Sequence, residues 1–252
     1  MNMHNCLILG SGRSGTSAAA GCLANGQYFM GNNLIPARVS NPDGVFEDLH
    51  VRSINEEVLA PLLPPRRPNV DSDRHIPEQW QRWLAHFPVG IEISSSPQIK
   101  ASINELTSNK PYCFKDPRFS YALPVWRSQL ENCVFVCMFR NPASTASSIV
   151  RFTKEFELMH SLEISFNEAL DAWTMLNRHI LEKHRHKGDW LFLHLDQLIY
   201  GDGLDKLAEF TGAEINRAFP KAERRRTFSN VGVPEEVTRV YDKLCELAGF
   251  HR

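Results

Sequence analysis

Residues 6 to 17, Cys-Leu-Ile-Leu-Gly-Ser-Gly-Arg-Ser-Gly-Thr-Ser, run from a short apolar strand through a glycine-rich loop carrying hydroxyls and one arginine, and an alanine-rich helix follows. That order describes a phosphate-binding turn. Gly10, Gly12 and Gly15 let the backbone take positive φ and approach a ligand closely, while N–H groups at the start of the next helix point at an anion. Ser14, Thr16 and Ser17 add hydroxyl donors.

Two missing residues narrow the ligand. Gly10 to Gly15 fits G-x-G-x-x-G, a dinucleotide pattern that needs an acidic residue about 20 positions further on for the ribose hydroxyl. Residues 24 to 42 hold no Asp or Glu. Gly10 to Ser17 also has the frame of the triphosphate loop G-x-x-x-x-G-K-[ST], but Thr16 stands where a lysine would reach the β- and γ-phosphates. The cation present, Arg13, comes three residues earlier, beside the terminal group of the phosphate chain.

Gly-Arg-Ser-Gly-Thr-Ser at 12 to 17 resembles the 5′-phosphosulfate loop of the sulfotransferases, Pro-Lys-Ser-Gly-Thr-Thr in cytosolic members and Pro-Arg-Ser-Gly-Thr-Thr in tyrosylprotein members. A second segment supports it. At 133 to 150, Cys-Val-Phe-Val-Cys-Met-Phe reads as a buried parallel strand and Arg-Asn-Pro-Ala-Ser-Thr-Ala-Ser-Ser-Ile-Val as the turn and helix after it. This is similar to the family's 3′-phosphate motif, R-[DN]-P with a serine eight residues after the arginine, a spacing that Arg140 and Ser148 keep. Arg140 leaves the strand's carboxyl end and Ser148 stands about two turns along the helix, roughly 10 Å by helical rise, so one phosphate fits between them. A planar guanidinium matches that phosphate bidentately.

The resemblance implies a single-domain α/β protein over residues 1–252, with a parallel β-sheet flanked by helices in the P-loop-type sulfotransferase fold. It further implies 3′-phosphoadenosine 5′-phosphosulfate (PAPS) as donor and adenosine 3′,5′-bisphosphate as product. The donor-binding residues become Gly12, Arg13, Ser14, Gly15, Thr16, Ser17, Arg140 and Ser148, with the loop and the Arg140–Ser148 clamp at opposite ends of one nucleotide.

Between these motifs, Tyr112-Cys-Phe-Lys-Asp-Pro-Arg118 resembles the Lys-Asp-Pro of tyrosylprotein members, where the lysine contacts the transferring sulfuryl group. Lys115 takes that role, and Pro117 replaces the histidine base of cytosolic members. Asn41-Pro-Asp-Gly-Val-Phe-Glu-Asp-Leu-His50 resembles the Gly-[aromatic]-Glu segment of bacterial sulfotransferases and offers Glu47 as the base, with Asp116 and His50 as competitors. Glu47 and Asp48 also suit a helix N-terminus, where a carboxylate is worth about 0.3–1 kcal/mol. Asp116, between Lys115 and Arg118, is expected to orient those cations, with a lowered pKa that makes it a poorer base.

The implied chemistry is in-line transfer of a sulfuryl group from PAPS to a hydroxyl or amine, without a covalent enzyme intermediate. Arg13 and Lys115 stabilise charge on the oxygen between sulfur and the 5′-phosphate. No metal is called for: His184-x-His186 falls on a surface helix and Cys133-x-x-x-Cys137 has a strand spacing. Two rivals are a P-loop kinase using ATP–Mg²⁺, with Asp116 holding the metal, and a nucleotide-binding interaction module without catalysis. The acceptor, whether small molecule, glycan or lipid, is not specified by fold or donor site, nor is the oligomeric state.

Composition agrees. A chain of 252 residues with 42% hydrophobic and 23% charged residues supports one sizeable α/β domain, and a net charge of −1 argues against general nucleic-acid or membrane-surface binding. The scattered cysteines suggest no disulfides, and no apolar run reaches membrane-spanning length, which together with a strand and loop in the first 20 residues points to a cytoplasmic enzyme. Expected elements are strands 4–9, 111–115, 133–139 and 190–195, and helices 14–25, 47–60, 78–86, 119–130, 142–158, 165–187, 203–212 and 234–249. Three further features remain open. The proline-rich segment 61–77 is an acceptor lid or a surface loop, and Arg224 to Asn230 is a phosphate contact or a solvated charge run. Phe46, Trp80 and Trp83 either line an acceptor site or pack in the core.

Overall fold

The computed structural model describes residues 3–39, 41–67, 69–224 and 227–251. Its centre is a sheet of β1 (Asn5–Leu9), β2 (Cys113–Lys115), β3 (Cys133–Phe139) and β4 (Trp190–His194), in the order β2-β1-β3-β4. All pairings are parallel, with Cys6 beside Cys113 and Val134, and Met138 beside Leu193. Nearly every strand residue is buried, which is why these segments read as unbroken apolar runs instead of alternating ones.

Side chains still alternate across the sheet, and this divides the core into two layers. Leu7, Leu9, Phe114, Phe135, Cys137 and Phe139 face one side. That side is covered by α2 (Leu49–Leu59), α3 (Pro97–Thr107), α4 (Phe119–Arg127), α5 (Pro142–Glu155), α6 (Phe166–His179) and α9 (Glu235–Ala248). Cys6, Ile8, Cys113, Val134, Val136 and Met138 face the other, under α1 (Thr16–Leu23), α7 (Leu195–Tyr200) and α8 (Gly203–Thr211). The architecture is one α/β domain with helices on both faces of a parallel sheet, and all the cysteines among the described residues are free thiols. No helix among those residues is long and apolar enough to cross a membrane.

Several elements differ from the sequence reading. The helix expected over 78–86 is absent: Trp80 sits in the left-handed region at φ 72°, and only a 3₁₀ turn, Arg82–Leu84, forms. Residues 87–110 read in the sequence as a mixed region without a defined helix, yet they contain α3, which starts at a Ser-Pro pair. Ser96 Oγ accepts from the Ile99 N–H and Pro97 occupies the first helical position. The long helix expected over 165–187 ends as α6 at His179 and continues as a single π turn, Ile180–His184. His184 is buried, its ring within 3.1 Å of the Ser120 carbonyl, so it does not lie on an exposed surface as its spacing suggested.

Candidate functional site

The chain leaves β1 toward β2 on one side and then crosses to β3 on the other, so a crevice opens between the carboxyl ends of β1 and β3. Parallel α/β sheets take ligands at such switch points. A cavity of ≈ 370 Å³ lies there, lined by the loop after β1, the ends of β2 and β3, α5, and parts of residues 35–52 and 80–83.

The loop has little freedom to be anything else. Gly10 has φ +123°, and a Cβ on it would lie 2.1 Å from the Met138 carbonyl oxygen on the neighbouring strand. Gly15, at φ +97°, is the N-cap of α1, and that helix begins with neither a side-chain cap nor an acidic residue in its first turn. Ser14 Oγ is buried and has no hydrogen-bond partner among the described residues. A bare helix N-terminus beside an unsatisfied buried hydroxyl is a cradle for an anion. Ser17 behaves differently from the sequence expectation, because its hydroxyl donates to the Val45 carbonyl at 3.1 Å. The segment 41–45 folds across the start of α1 and takes that donor.

Arg13, in the left-handed region at φ 69°, lies 5.1 Å from the Phe152 ring centre. Its Nε donates to Ser148 Oγ at 3.3 Å and its Nη1 to Asn41 Oδ1 at 3.4 Å. The Arg13 side chain thus reaches from the loop to Ser148, and the loop and the Arg140–Ser148 pair line one cavity. Arg140 and Ser148 are buried and both line the cavity. Asn141 caps α5 by accepting from the Ser144 N–H, with Pro142 at the first position, which aims the helix and Ser148 from the end of β3. The Ser229 N–H donates to Ser144 Oγ, bringing the C-terminal segment against α5, and Thr227 lines the cavity. Arg225 and Arg226 lie outside the described residues.

At the floor, Lys115 Nζ donates to Glu47 Oε1 at 2.6 Å. Asp48, next to it, is the N-cap of α2 and accepts from the His50 and Val51 N–H groups, so the base candidate sits one residue outside a fixed helix start. Burial works to raise the Glu47 carboxyl, but Lys115, Arg118 and Arg52 overcome it and hold the group below its usual range. Asp116 goes the other way from expectation: burial raises it, Glu47 adds to the rise, and Arg118 opposes. The sequence placed Asp116 between two cations, whereas Lys115 turns to Glu47 and leaves Arg118 alone beside Asp116 in a dry site. Arg118 also pairs with Glu56 at 2.6 Å, and Glu56 with Arg82 at 2.8 Å.

Sequence reasoning missed much of the remaining lining. Ile35, Phe152, Phe156 and Met159 form an apolar wall with Trp80 and Trp83, and Arg38 and Arg52 lie over the Phe156 and Trp80 rings. Phe46 is not part of it and packs edge-on against Phe219. His50 is exposed and does not reach the cavity, nor does any residue of 61–77 among those described. The latter segment is tied down elsewhere, by an Arg67–Asp73 ion pair and by Arg66 to Glu78 and the Ser161 carbonyl. No cluster of three or more His, Cys, Asp or Glu residues suited to a metal occurs among the described residues.

No protein-family profile and no curated protein sequence matches the chain. Solved structures do. The sulfotransferase domain from the curacin biosynthetic pathway superposes with a TM-score of 0.54 over 99% of each chain at 14% identity. The sulfotransferase domain from the Synechococcus PCC 7002 olefin synthase does so with a TM-score of 0.51 over 96% of this chain and 94% of that one, also at 14% identity. The chain thus has the P-loop-type α/β fold of these domains.

Proposed function

We propose that the protein is a sulfotransferase that moves a sulfuryl group from PAPS to a hydroxyl or amine by in-line transfer. The observation that carries this reading is the meeting of Arg13, Lys115, Arg140, Ser148 and Glu47 around one cavity at the sheet's switch point, from positions scattered over the first 148 residues. The uncapped start of α1, whose Gly15 and Thr16 line the cavity above the buried, unpartnered Ser14 hydroxyl, suits a 5′-phosphate, and Arg140 with Ser148 suits a 3′-phosphate. Bound PAPS supplies the sulfuryl group and a bisphosphate leaving group.

The chain's own residues account for the rest. Lys115 and Arg13 neutralise charge that develops on the bridging oxygen, fixed in place before the reaction. With three N–H donors, Lys115 can serve that oxygen while still holding Glu47. As its charge is shared with the transferring group, the Glu47 carboxyl is held down less strongly and takes the acceptor's proton more readily. Asp116 is a poor rival because both its oxygens face Arg118 Nη1, at 3.1 and 3.3 Å, and it does not line the cavity. The same commitment removes the carboxylate that a kinase reading would assign to Mg²⁺.

Thermal melting tests the reading. Adenosine 3′,5′-bisphosphate without metal, at 100 times its Kd, should stabilise the fold by about 2.7 kcal/mol. ATP–Mg²⁺ should do far less, and labelled PAPS should lose its sulfuryl group to an acceptor pool in a Lys115-dependent way. Stabilisation by ATP–Mg²⁺ alone would favour the kinase instead.

A further inference from the structure

The ion cluster at the cavity floor does not balance. Lys115 has Glu47, Arg118 has Asp116 and Glu56, and Arg82 has Glu56. Arg52 forms no salt bridge among the described residues. It is only 8% exposed, it lines the cavity, and its Nε is buried without a hydrogen-bond partner. Its visible support is one residue: Nη2 donates to the Trp80 carbonyl at 3.2 Å, and the guanidinium lies 4.6 Å from the Trp80 ring centre. Glu47, Asp116 and Glu56 are near enough to feel its charge, yet each is engaged by another cation. A buried guanidinium with surplus charge is costly unless an anion joins it.

Trp80 gives this arrangement its shape. It is a non-glycine residue at positive φ, and such strain persists where the surroundings enforce it, often at ligand sites. Here the enforcing contacts are two guanidinium groups on one carbonyl, Arg52 at 3.2 Å and Arg118 at 3.0 Å. The indole is thereby fixed as part of the cavity wall beside Arg52. The phosphate-binding features lie elsewhere, at the start of α1 and at Arg140 and Ser148, and Arg52 hydrogen-bonds to none of them.

We propose that Arg52 receives a carboxylate on the acceptor, whose body rests against Trp80, so that the preferred acceptors are hydroxyl compounds carrying a carboxylate. This rests on the sulfotransferase reading, which puts the transfer point at Lys115 and Glu47. Among the described residues of the floor cluster there is one cation more than there are carboxylates, which calls for a singly charged group, and a planar carboxylate fits the edge of a guanidinium already stacked on a ring.

The probes are 4-hydroxybenzoate and its neutral isostere 4-hydroxybenzamide, with binding measured by calorimetry in the presence and absence of adenosine 3′,5′-bisphosphate. The acid should bind at least about tenfold more tightly than the amide. Arg52→Gln should bring that ratio close to one, and Arg52→Lys should restore part of it, which loss of folding would not do. Equal binding of the two probes, or a preference that survives Arg52→Gln, overturns the proposal. Failure of the sulfotransferase reading has a separate signature, since labelled PAPS would then give no sulfuryl transfer while an Arg52-dependent preference for the acid remained.

Discussion

On the side of the cavity assigned above to the proposed nucleotide, the lining groups are backbone, hydroxyls and two arginines, Arg13 and Arg140, from short stretches after β1 and β3. On the floor, each group is positioned by a side chain from a distant segment, Lys115 by Glu47, Arg118 by Glu56, Arg52 by Trp80. At the first kind of site, the N–H groups of the helix start can donate to water in place of an anion, so no buried ion pair depends on them. The second kind is built of buried charges, and each depends on the others. The hydroxyls on the first side should therefore tolerate substitution with loss of binding alone, while the floor should lose stability and activity together.

The sharpest way to break this contrast is Glu56→Gln. Glu56 is 1% exposed and serves both Arg82 and Arg118, so its neutralisation leaves the buried Arg118 with Asp116 alone and the half-buried Arg82 with no carboxylate among the described residues. Urea unfolding should show a loss of about 3–5 kcal/mol. A variant as stable as the parent would show that the floor is as forgiving as the loop. Next in size, Lys115→Ala should cut labelled sulfuryl transfer by about 10²–10³-fold, the range for losing one fixed donor at a developing charge. Ser14→Ala probes the other side. It removes a hydroxyl with no partner among the described residues, so the unfolding free energy from urea titration should stay within about 0.5 kcal/mol of the parent, while stabilisation by adenosine 3′,5′-bisphosphate shrinks.

The same contrast explains what could be read from the sequence. The glycine loop, the strand at 133–139 and the Arg140–Ser148 spacing are contiguous and local, and local chemistry fixes them: positive φ at Gly10 and Gly15, an Asn cap and a Pro at the start of α5. The partner of Lys115 was harder, since Glu47 is 68 residues away and only the folded chain brings it within 2.6 Å. Arg52 left no signal, because in the helical pattern of α2 it reads as an ordinary polar position, and what makes it unusual is Trp80, a residue expected to be helical and found at positive φ. The shift at Asp116 was read with the wrong sign for the same reason. Charge neighbours are visible in a sequence, but burial is not, and here burial is the larger effect.

That pair of carboxyl groups yields the smallest and most diagnostic effect. Glu47 is held below its usual range in the folded protein, so the unfolded chain takes up that proton first as the pH falls below about 4.3. Its pairing therefore adds stability at neutral pH that is lost on acidification. Asp116 is raised by burial, so its contribution is present below about 3.9, the ordinary aspartate value, and disappears as pH rises through the folded one. Removing each titration should change the pH profile in opposite senses. Glu47→Gln should flatten the decline in urea midpoint between pH 7 and pH 3, and Asp116→Asn should steepen it, whatever each does to stability at pH 7. Parallel changes in the two profiles would mean that Lys115 and Arg118 do not divide the two carboxylates between them, and the pairing that leaves Arg52 over would go with it.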